Sequence, residues 1–229
     1  MPDRVARLIE LSASAQVPGG RSLAAPASDG SRVAESWAKR AVDILGAGIA
    51  ILLFLPLMIT VALAVRLESG GPVIFKQRRT GRGGRIFTIY KFRTMTVAED
   101  ASEVRHATLG DARVTAIGAL LRKLSLDELP QFINVLKGEM SLVGPRPHAL
   151  AHDSYYGERI ATYAERFRTK PGLTGLAQVN GLRGEIRDLR GMRDRVTADN
   201  LYIESWSLGL DIAILALTAL MIFRDPQAY

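Results

Sequence analysis

The sequence contains no cysteine, which excludes disulfides, a thiolate nucleophile and any zinc site with cysteine ligands. Histidine is also scarce, with three residues at His106, His148 and His152. The last two share the i,i+4 spacing of helical metal ligands but lack a His-Glu-x-x-His pattern, so we interpret them as structural or substrate-proximal. Acidic residues are fewer than basic ones, 23 against 30, and the net charge is +7. This balance predicts an anionic partner: a nucleic acid, a membrane surface or a phosphorylated substrate.

Charge is absent altogether from residues 44–65, a run of 22 residues. That length suits a membrane helix, and a buried core helix is the weaker interpretation because the run would be apolar on every face. Lys39 and Arg40 precede the run and further basic residues follow it, so both ends are predicted to be cytoplasmic. Pro56 breaks the backbone hydrogen bonding near the middle. We therefore predict a re-entrant helix-break-helix hairpin over residues 37–68, with a single span as the alternative.

The rest of the chain divides by composition. Residues 1–36 are rich in Ala, Ser, Pro and Gly without a continuous apolar region, which predicts a disordered leader rather than a signal peptide. Residues 69–207 combine short β-prone runs with helical apolar spacing at residues 113–124 and 153–167, so we predict a catalytic domain that is mostly α with a small β element. Residues 208–229 begin with a short apolar run containing one aspartate, which predicts a C-terminal interfacial helix and tail.

Two adjacent carboxylates, Asp127 and Glu128, lie where a helix is predicted to start. Pro130 is tolerated only in the first turn of a helix, so Asp127 is predicted to be the N-cap. The positive end of the helix macrodipole favours an ionised carboxylate there, which keeps it available as a nucleophile or metal ligand. Simple capping is the alternative, because Ser125 and Glu128 have the spacing of a capping box.

Basic residues from separate segments are candidates for binding phosphate. Lys91 and Arg93 alternate in a predicted strand, so both charges are expected on one face. Arg146 lies between two prolines, and a rigid guanidinium suits bidentate phosphate binding. Residues 78–85 are interpreted as a basic loop between two strands that contacts anionic lipid headgroups, or alternatively as a solvated face. Three glycines within residues 170–181 permit close approach of the backbone to a ligand.

These patterns occur in an order that resembles the bacterial sugar transferases, also called monotopic phosphoglycosyl transferases. The resemblance covers residue 37 to about residue 223 and rests on four motifs: Lys-Phe-Arg-Thr-Met at 91–95, Ser-Leu-Asp-Glu-Leu-Pro-Gln at 125–131, Gly-Pro-Arg-Pro at 144–147 and Lys-Pro-Gly-Leu-Thr-Gly at 170–175. It implies transfer of a sugar-1-phosphate from a UDP-sugar to a polyprenyl phosphate, with release of UMP and a requirement for Mg²⁺.

The same resemblance implies roles for individual residues. Asp127 would be the nucleophile that forms a covalent phosphosugar intermediate and also a metal ligand, and Glu128 would position the metal or act as a base. Six further residues would bind substrate, the first three through phosphate and the last three in the nucleotide pocket: Lys91, Arg93, Arg146, Gln178, Arg183 and Asp199.

The resemblance also implies a donor and a location. We expect transfer of glucose-1-phosphate from UDP-glucose to undecaprenyl phosphate, which initiates exopolysaccharide or capsule repeat units; UDP-galactose and a UDP-N-acetylhexosamine are the alternative donors. The expected location is the cytoplasmic face of the bacterial inner membrane, in contact with anionic lipids, and a homo-oligomer is left open. A non-catalytic membrane scaffold is a remote alternative. A membrane-tethered nucleic-acid-binding protein would leave Asp127 without a role, so no nucleic acid partner is expected.

Overall fold

The computed structural model describes residues 36–96, 111–182, 184 and 188–222, so the predicted leader lies almost wholly outside the described residues. Helices dominate the described residues and two small sheets accompany them, which confirms the predicted fold class of mostly α with a small β element. The α-helices are Trp37–Ser69 (α1), Ala116–Lys123 (α2), Gln131–Lys137 (α3), Leu150–Gly157 (α4), Leu176–Val179 (α5), Leu189–Ser205 (α6) and Leu208–Ile222 (α7). The strands are Ile74–Thr80 (β1), Ile86–Phe92 (β2), Ser141–Val143 (β3) and Gly172–Thr174 (β4), and short 3-10 turns occupy Arg82–Gly84, Leu126–Glu128 and Tyr163–Arg168.

Helix α1 is 33 residues long. Its start is set by Ser36, whose side chain accepts a hydrogen bond from the Lys39 backbone N–H at 3.2 Å, and its end by Gly70, which adopts a positive φ of 56°. Among the described residues it is the one helix long and apolar enough to cross a membrane, judged by length and composition. Pro56 lies inside it, and the helix continues through this residue as a single element. The long apolar helix is therefore confirmed, whereas the break at Pro56 stays a prediction.

Both ends of α1 pack against the same globular unit. Near the N-terminal end, Ala47 belongs to a buried cluster with Val135 and Leu142. Near the C-terminal end, Val61 and Val65 pack in a second cluster that includes residues of β2 and α2. Large aliphatic side chains between these two contacts are exposed. Both ends of α1 are therefore anchored to the globular unit, and the middle of the helix presents apolar side chains to the outside.

Strands β1 and β2 form an antiparallel hairpin that is paired along its whole length. The turn between them contains Gly83, whose φ of 65° lies in the left-handed region that favours glycine. Alternation along β1 exposes Arg78 and turns Arg79 toward the protein. The basic loop predicted over residues 78–85 is therefore wrong at its start, because residues 78–80 belong to β1.

The second sheet pairs β3 with β4 in parallel, with Ser141 opposite Gly172. The two segments approach so closely that a Cβ added to Gly172 would meet the backbone nitrogen of Gly144, and one added to Gly175 would meet the Gly144 carbonyl oxygen. These two glycines are thus explained by contact between backbone segments, rather than by the ligand approach that we predicted for residues 170–181.

The single helix predicted over residues 153–167 is wrong. Helix α4 ends at Gly157, and a separate 3-10 turn begins at Tyr163. Glycine has a low helix propensity, and beyond it Ile160 and Tyr163 turn inward to join a buried cluster with residues of α6. The change of direction also carries Arg166 into the interior, where it is 3% exposed.

The aspartate in the C-terminal apolar run, Asp211, lies on the inner side of helix α7. Asp211 is buried, and it accepts hydrogen bonds from Lys39 Nζ at 2.7 Å and from Tyr202 Oη at 2.7 Å. The polar interruption is therefore an internal contact with α1 and α6 rather than part of an outer polar face. Ile212 and Leu220 are exposed, and the interfacial position of α7 stays a prediction.

Candidate active site

The carboxylate pair lies in the 3-10 turn Leu126–Glu128, between α2 and α3. The preceding Ser125 has φ 55° in the left-handed region, and its side chain makes no capping hydrogen bond. Pro130 occupies the N-cap position of α3. Both the helix N-cap predicted for Asp127 and the capping box are therefore wrong, because the left-handed residue starts a separate turn before the helix begins.

Glu128 is held by two cations from different segments. Lys91 of β2 donates to Oε1 at 2.8 Å, and Arg146 donates to Oε1 at 2.5 Å and to Oε2 at 3.2 Å. Burial works to raise the pKa of Glu128, but the charges of Arg146 and Lys91 and the hydrogen bonds from both hold it well below its usual range. Glu128 is thus an ionised and anchored carboxylate.

Asp127 lies near the same cations as Glu128, but neither cation donates a hydrogen bond to it. It is 8% exposed, Lys91 Nζ lies 3.9 Å from its Oδ2, and it accepts no hydrogen bond from any residue that the structure describes. Burial raises the pKa of Asp127 against the attraction of Lys91, and the charge of Glu128 adds to the rise. The helix-dipole argument for an ionised Asp127 therefore does not apply, because Asp127 lies in a separate turn before the helix begins.

Arg146 is fixed through its backbone as well as through its side chain. The flanking prolines restrict the loop, and the Arg146 carbonyl accepts a hydrogen bond from Arg166 Nη2 at 2.6 Å. The side chain of Arg146 is nevertheless 40% exposed. A solvent-borne anion can therefore reach the guanidinium where it contacts Glu128, and phosphate binding by this loop stays a prediction.

Arg79 is a charged residue of this region that the sequence interpretation assigned to a lipid-facing loop. Its Nη1 donates to the Pro147 carbonyl at 3.4 Å and its Nη2 to Gln77 Oε1 at 2.5 Å, whereas its Nε is buried without a partner among the described residues. Burial and the positive charge of Arg146 lower the pKa of Arg79 to about 10. The inward position of one of these arginines could have been predicted from strand alternation, because the side chains of Arg78 and Arg79 must leave opposite faces of β1.

Arg93 does not join Lys91 as predicted. Strand β2 ends at Phe92, so Arg93 lies beyond the alternation of the strand. It is 7% exposed, and its guanidinium donates to Ser69 Oγ at 2.8 Å and to the Gly70 carbonyl. The two cations therefore serve different places: Lys91 contacts the carboxylates, and Arg93 contacts the C-terminal end of α1, which the helix dipole makes negative.

The three residues predicted for the nucleotide pocket do not lie together in the described structure. Gln178 is buried; its Nε2 donates to the Leu173 carbonyl at 3.2 Å, and its Oε1 has no partner among the described residues. Asp199 is buried in an ion pair with Arg166 at 2.8 Å. Arg183 lies outside the described residues. The structure thus brings together Asp127, Glu128, Lys91 and Arg146, and it places Asp199 beneath the loop that carries Arg146.

Comparison with known proteins fits this arrangement. Residues 34–225 match the family model described as bacterial sugar transferase. The chain belongs to the bacterial sugar transferase family.

Several relatives are described by the reaction that they catalyse. The UDP-glucose:undecaprenyl-phosphate glucose-1-phosphate transferase of Caulobacter vibrioides is 51% identical over 198 residues, which cover 86% of this chain and 74% of that protein. The Escherichia coli protein of the same name is 51% identical over 191 residues, 83% of this chain and 41% of its own length. The UDP-N-acetylgalactosamine-undecaprenyl-phosphate N-acetylgalactosaminephosphotransferase of Aeromonas hydrophila is 46% identical over 179 residues, 78% of this chain and 42% of its own length. This sugar transferase chain therefore spans well under half the length of the last two.

The residues of the sugar transferase site can be compared with the ligands that Mg²⁺ requires. Within the described ranges, no group of three or more His, Asp or Glu side chains is arranged to hold an ion. Mg²⁺ is ordinarily bound by one or two carboxylates together with substrate phosphate oxygens. Asp127 fits such a role because hydrogen bonds from described residues do not occupy its oxygens, as they occupy those of Glu128. The donor set suits an ion that arrives with a phosphorylated substrate.

Proposed function

We propose that this chain transfers a hexose-1-phosphate from a UDP-sugar to undecaprenyl phosphate with release of UMP, and so initiates an exopolysaccharide or capsule repeat unit. Family membership and the described reactions of the Caulobacter vibrioides and Escherichia coli relatives support this reaction. One observation carries the chemistry. Glu128 is clamped by Lys91 and Arg146, whereas the adjacent Asp127 is buried and accepts no hydrogen bond from the described residues.

In this proposal Asp127 is the nucleophile. An Asp127 oxygen attacks the sugar-linked phosphorus of the UDP-sugar, the bond from that phosphorus to the UMP oxygen breaks, and UMP leaves with the electron pair. A phosphate oxygen of undecaprenyl phosphate then attacks the same phosphorus and releases the Asp127 carboxylate. The lone pairs of Asp127 are available because no described donor occupies them. Lys91 and Arg146 lie where they can stabilise the negative charge that shifts onto the leaving phosphate.

Mg²⁺ is the proposed cofactor, and Asp127 together with the diphosphate oxygens of the donor would hold it. When bound, it would neutralise negative charge on the diphosphate. The protein supplies the same kind of neutralisation from Lys91 and Arg146, which converge on Glu128. Both sources of positive charge are useful because two anions, the sugar diphosphate and the polyprenyl phosphate, must approach one site.

UDP-glucose is the proposed donor, and the names of the Caulobacter vibrioides and Escherichia coli relatives support it. The Aeromonas hydrophila relative is named for an N-acetylgalactosamine donor at 46% identity. UDP-galactose and UDP-N-acetylhexosamines are therefore the donors against which UDP-glucose should be compared, since sugars that differ by one hydroxyl are separated by few contacts.

A monotopic position on the cytoplasmic face of the inner membrane is proposed, with α1 re-entrant at Pro56. It is supported by the packing of both ends of α1 on one globular unit and by basic residues on both flanks of its apolar segment. Helices α2 and α3, which flank the carboxylate turn, and the residue that follows α2 expose four apolar side chains: Leu120, Leu124, Ile133 and Leu136. A membrane boundary at this face would bring lipid headgroups and the phosphate of undecaprenyl phosphate to the level of Asp127.

Cysteine labelling tests this topology, because the chain has no native cysteine. Single cysteines at Ser31 and at the exposed Ser154 should both be protected from a membrane-impermeant reagent in intact cells and should both react after lysis. Labelling of Ser31→Cys in intact cells would show that the helix spans the membrane and would overturn the re-entrant arrangement.

The reaction is tested by incubating the purified protein with a panel of UDP-sugars, undecaprenyl phosphate and Mg²⁺ and measuring UMP release. If Asp127 is the nucleophile, label should exchange between UMP and UDP-sugar without undecaprenyl phosphate, and Asp127→Asn should abolish the exchange. The matched control is Glu165→Gln, an exposed carboxylate paired with Arg168, which should leave exchange unchanged. A phosphosugar adduct mapped to Glu128, or exchange that strictly requires the acceptor, would overturn the assignment.

A further inference from the structure

Arg166 occupies an unusual position behind the proposed active site. It belongs to the 3-10 turn Tyr163–Arg168, and its side chain is 2% exposed. Each of its three nitrogens contacts a different partner: Nε donates to Asp199 Oδ2 at 2.8 Å, Nη1 lies 3.0 Å from His148 Nδ1, and Nη2 donates to the Arg146 carbonyl at 2.6 Å. The guanidinium is therefore buried with every nitrogen in contact with a protein group, and it is not positioned to bind substrate.

Two of these contacts bracket the loop that carries Arg146. One partner is the carbonyl of Arg146 itself and the other is the ring of His148, so the contacts lie on either side of Pro147. We propose that Arg166 and Asp199 are positioning residues that hold this loop so that the Arg146 guanidinium meets Glu128 and the donor diphosphate. The inference rests on the proposed transferase function for its catalytic readout.

The ring of His148 is held by the same network. Its Nδ1 lies 3.0 Å from Arg166 Nη1 and 2.8 Å from Tyr163 Oη. Tyr163 Oη in turn donates to Asp153 Oδ1 at 2.7 Å. Burial and the positive charge of Arg166 lower the pKa of His148 well below its usual range, which keeps the ring neutral. A neutral, oriented ring is a suitable second support for the loop.

Asp199 completes the network from α6. A buried guanidinium is tolerated when a carboxylate neutralises it, and removing one partner of such a pair leaves an uncompensated charge. Asp199 is 2% exposed and pairs with Arg166 at 2.8 Å. Asp199 therefore affects catalysis through Arg166 and then through Arg146. In this inference Asp199 supports the loop instead of contacting the nucleotide.

A double-mutant cycle distinguishes positioning from general stabilisation. Arg166→Lys keeps the charge but cannot reach three acceptors in three directions, so kcat for UMP release should fall on the order of 10- to 100-fold. In an Arg146→Lys background the same substitution should lower kcat by less than about 3-fold, because its effect passes through Arg146. The control is Asp111→Asn, which breaks the partly buried pair with Arg113 in the segment before α2. Its effect should be the same in both backgrounds.

An independent readout does not need activity. Hydrogen exchange of the peptide covering residues 144–149 should become faster in Arg166→Lys and in the milder Asp199→Asn, while exchange in the β1–β2 hairpin stays unchanged. If the wild type releases no UMP from any donor, the proposed function fails but the exchange measurement still tests the network. Should Arg166→Lys not fold, Asp199→Asn and His148→Gln enter the same cycle. Additive effects with Arg146→Lys, or unchanged exchange at residues 144–149, would overturn the inference.

Discussion

Two arginine networks meet at one residue and differ in their access to solvent. In the first, the side chains of Arg146 and Glu128 are 40% and 18% exposed, and Lys91 is 20% exposed. In the second, the side chains of Arg166 and Asp199 are 2% and 3% exposed. Arg146 belongs to both, because its side chain contacts Glu128 while its carbonyl accepts from Arg166. We call the first network, formed by Lys91, Glu128 and Arg146, the open network, and the second, formed by Arg166 and Asp199, the closed network. The open network is supported by the closed one through the Arg146 carbonyl.

The charge balance of the two networks explains their different roles. Around the carboxylate turn, the cations Lys91, Arg79 and Arg146 outnumber the carboxylates Asp127 and Glu128. In the closed network, Arg166 pairs directly with Asp199 and feels the charge of Asp153 at longer range, and the neighbouring histidine is neutral. A surplus of positive charge attracts an anionic substrate, whereas the Arg166–Asp199 ion pair is complete once the chain has folded.

The largest expected effect comes from removing the ion that we propose enters the open network with its substrate. Chelation with EDTA should reduce UMP release by more than about 1000-fold, because the donor diphosphate would lose the ion that neutralises it, and added Mg²⁺ should restore activity. The melting temperature should change by less than about 2 °C, since within residues 36–96, 111–182 and 188–222 no cluster of metal ligands supports the fold. Full turnover in EDTA would remove Mg²⁺ from the mechanism, and a large fall in melting temperature would indicate a structural metal instead.

The second prediction breaks the open network and leaves the closed one intact. Arg146→Lys keeps the positive charge and the backbone carbonyl that Arg166 holds, but it loses the two-pronged contact with Glu128. We expect kcat to fall on the order of 100-fold, as for loss of one preorganised donor, with membrane association unchanged in a flotation assay.

The matched control is Arg159→Lys, because the Arg159 side chain is 41% exposed and pairs with Glu158 away from the carboxylate turn. This variant should retain wild-type kcat. Near wild-type turnover in Arg146→Lys would instead give Arg146 a purely structural role.

Much of the open network could be predicted because its members lie in compact motifs. Asp127, Glu128 and Arg146 follow one another within a short stretch of sequence, and Lys91 lies in a strand whose pattern is plain. Their convergence followed from a resemblance that placed all four at one site. The local geometry of Asp127 could not be predicted in the same way, since the left-handed φ of Ser125 is uncommon for a residue other than glycine and leaves no pattern in the sequence.

The closed network was missed for a different reason. Arg166 and Asp199 are 33 positions apart, and Arg166 lies in the helix predicted over residues 153–167 whereas Asp199 was predicted in the nucleotide pocket, so nothing local marks them as partners. Charged residues are most often on the surface, and only tertiary packing shows that this pair is buried. Arg93 was misassigned because strand alternation was extended past the end of β2, where the chain turns toward α1.

The smallest predicted effect concerns Arg79, which joins the open network from β1. Its Nε is buried without a partner among the described residues, and its Nη1 makes only a long contact of 3.4 Å with the Pro147 carbonyl. A donor phosphate would supply acceptors to a guanidinium that is incompletely used and lies near the charge of Arg146. Arg79→Lys should therefore raise KM for the UDP-sugar about 10-fold, because one charge-assisted hydrogen bond is lost, while kcat changes less than about 3-fold.

The neighbouring Arg78→Lys is the matched control, since its side chain is exposed on the opposite face of the same strand. Titration calorimetry with UDP-glucose and Mg²⁺ on Asp127→Asn protein separates binding from turnover and should show the same loss for Arg79→Lys and none for Arg78→Lys. Equal affinities for the two variants would exclude Arg79 from the donor site and leave it as a support for the Arg146 loop.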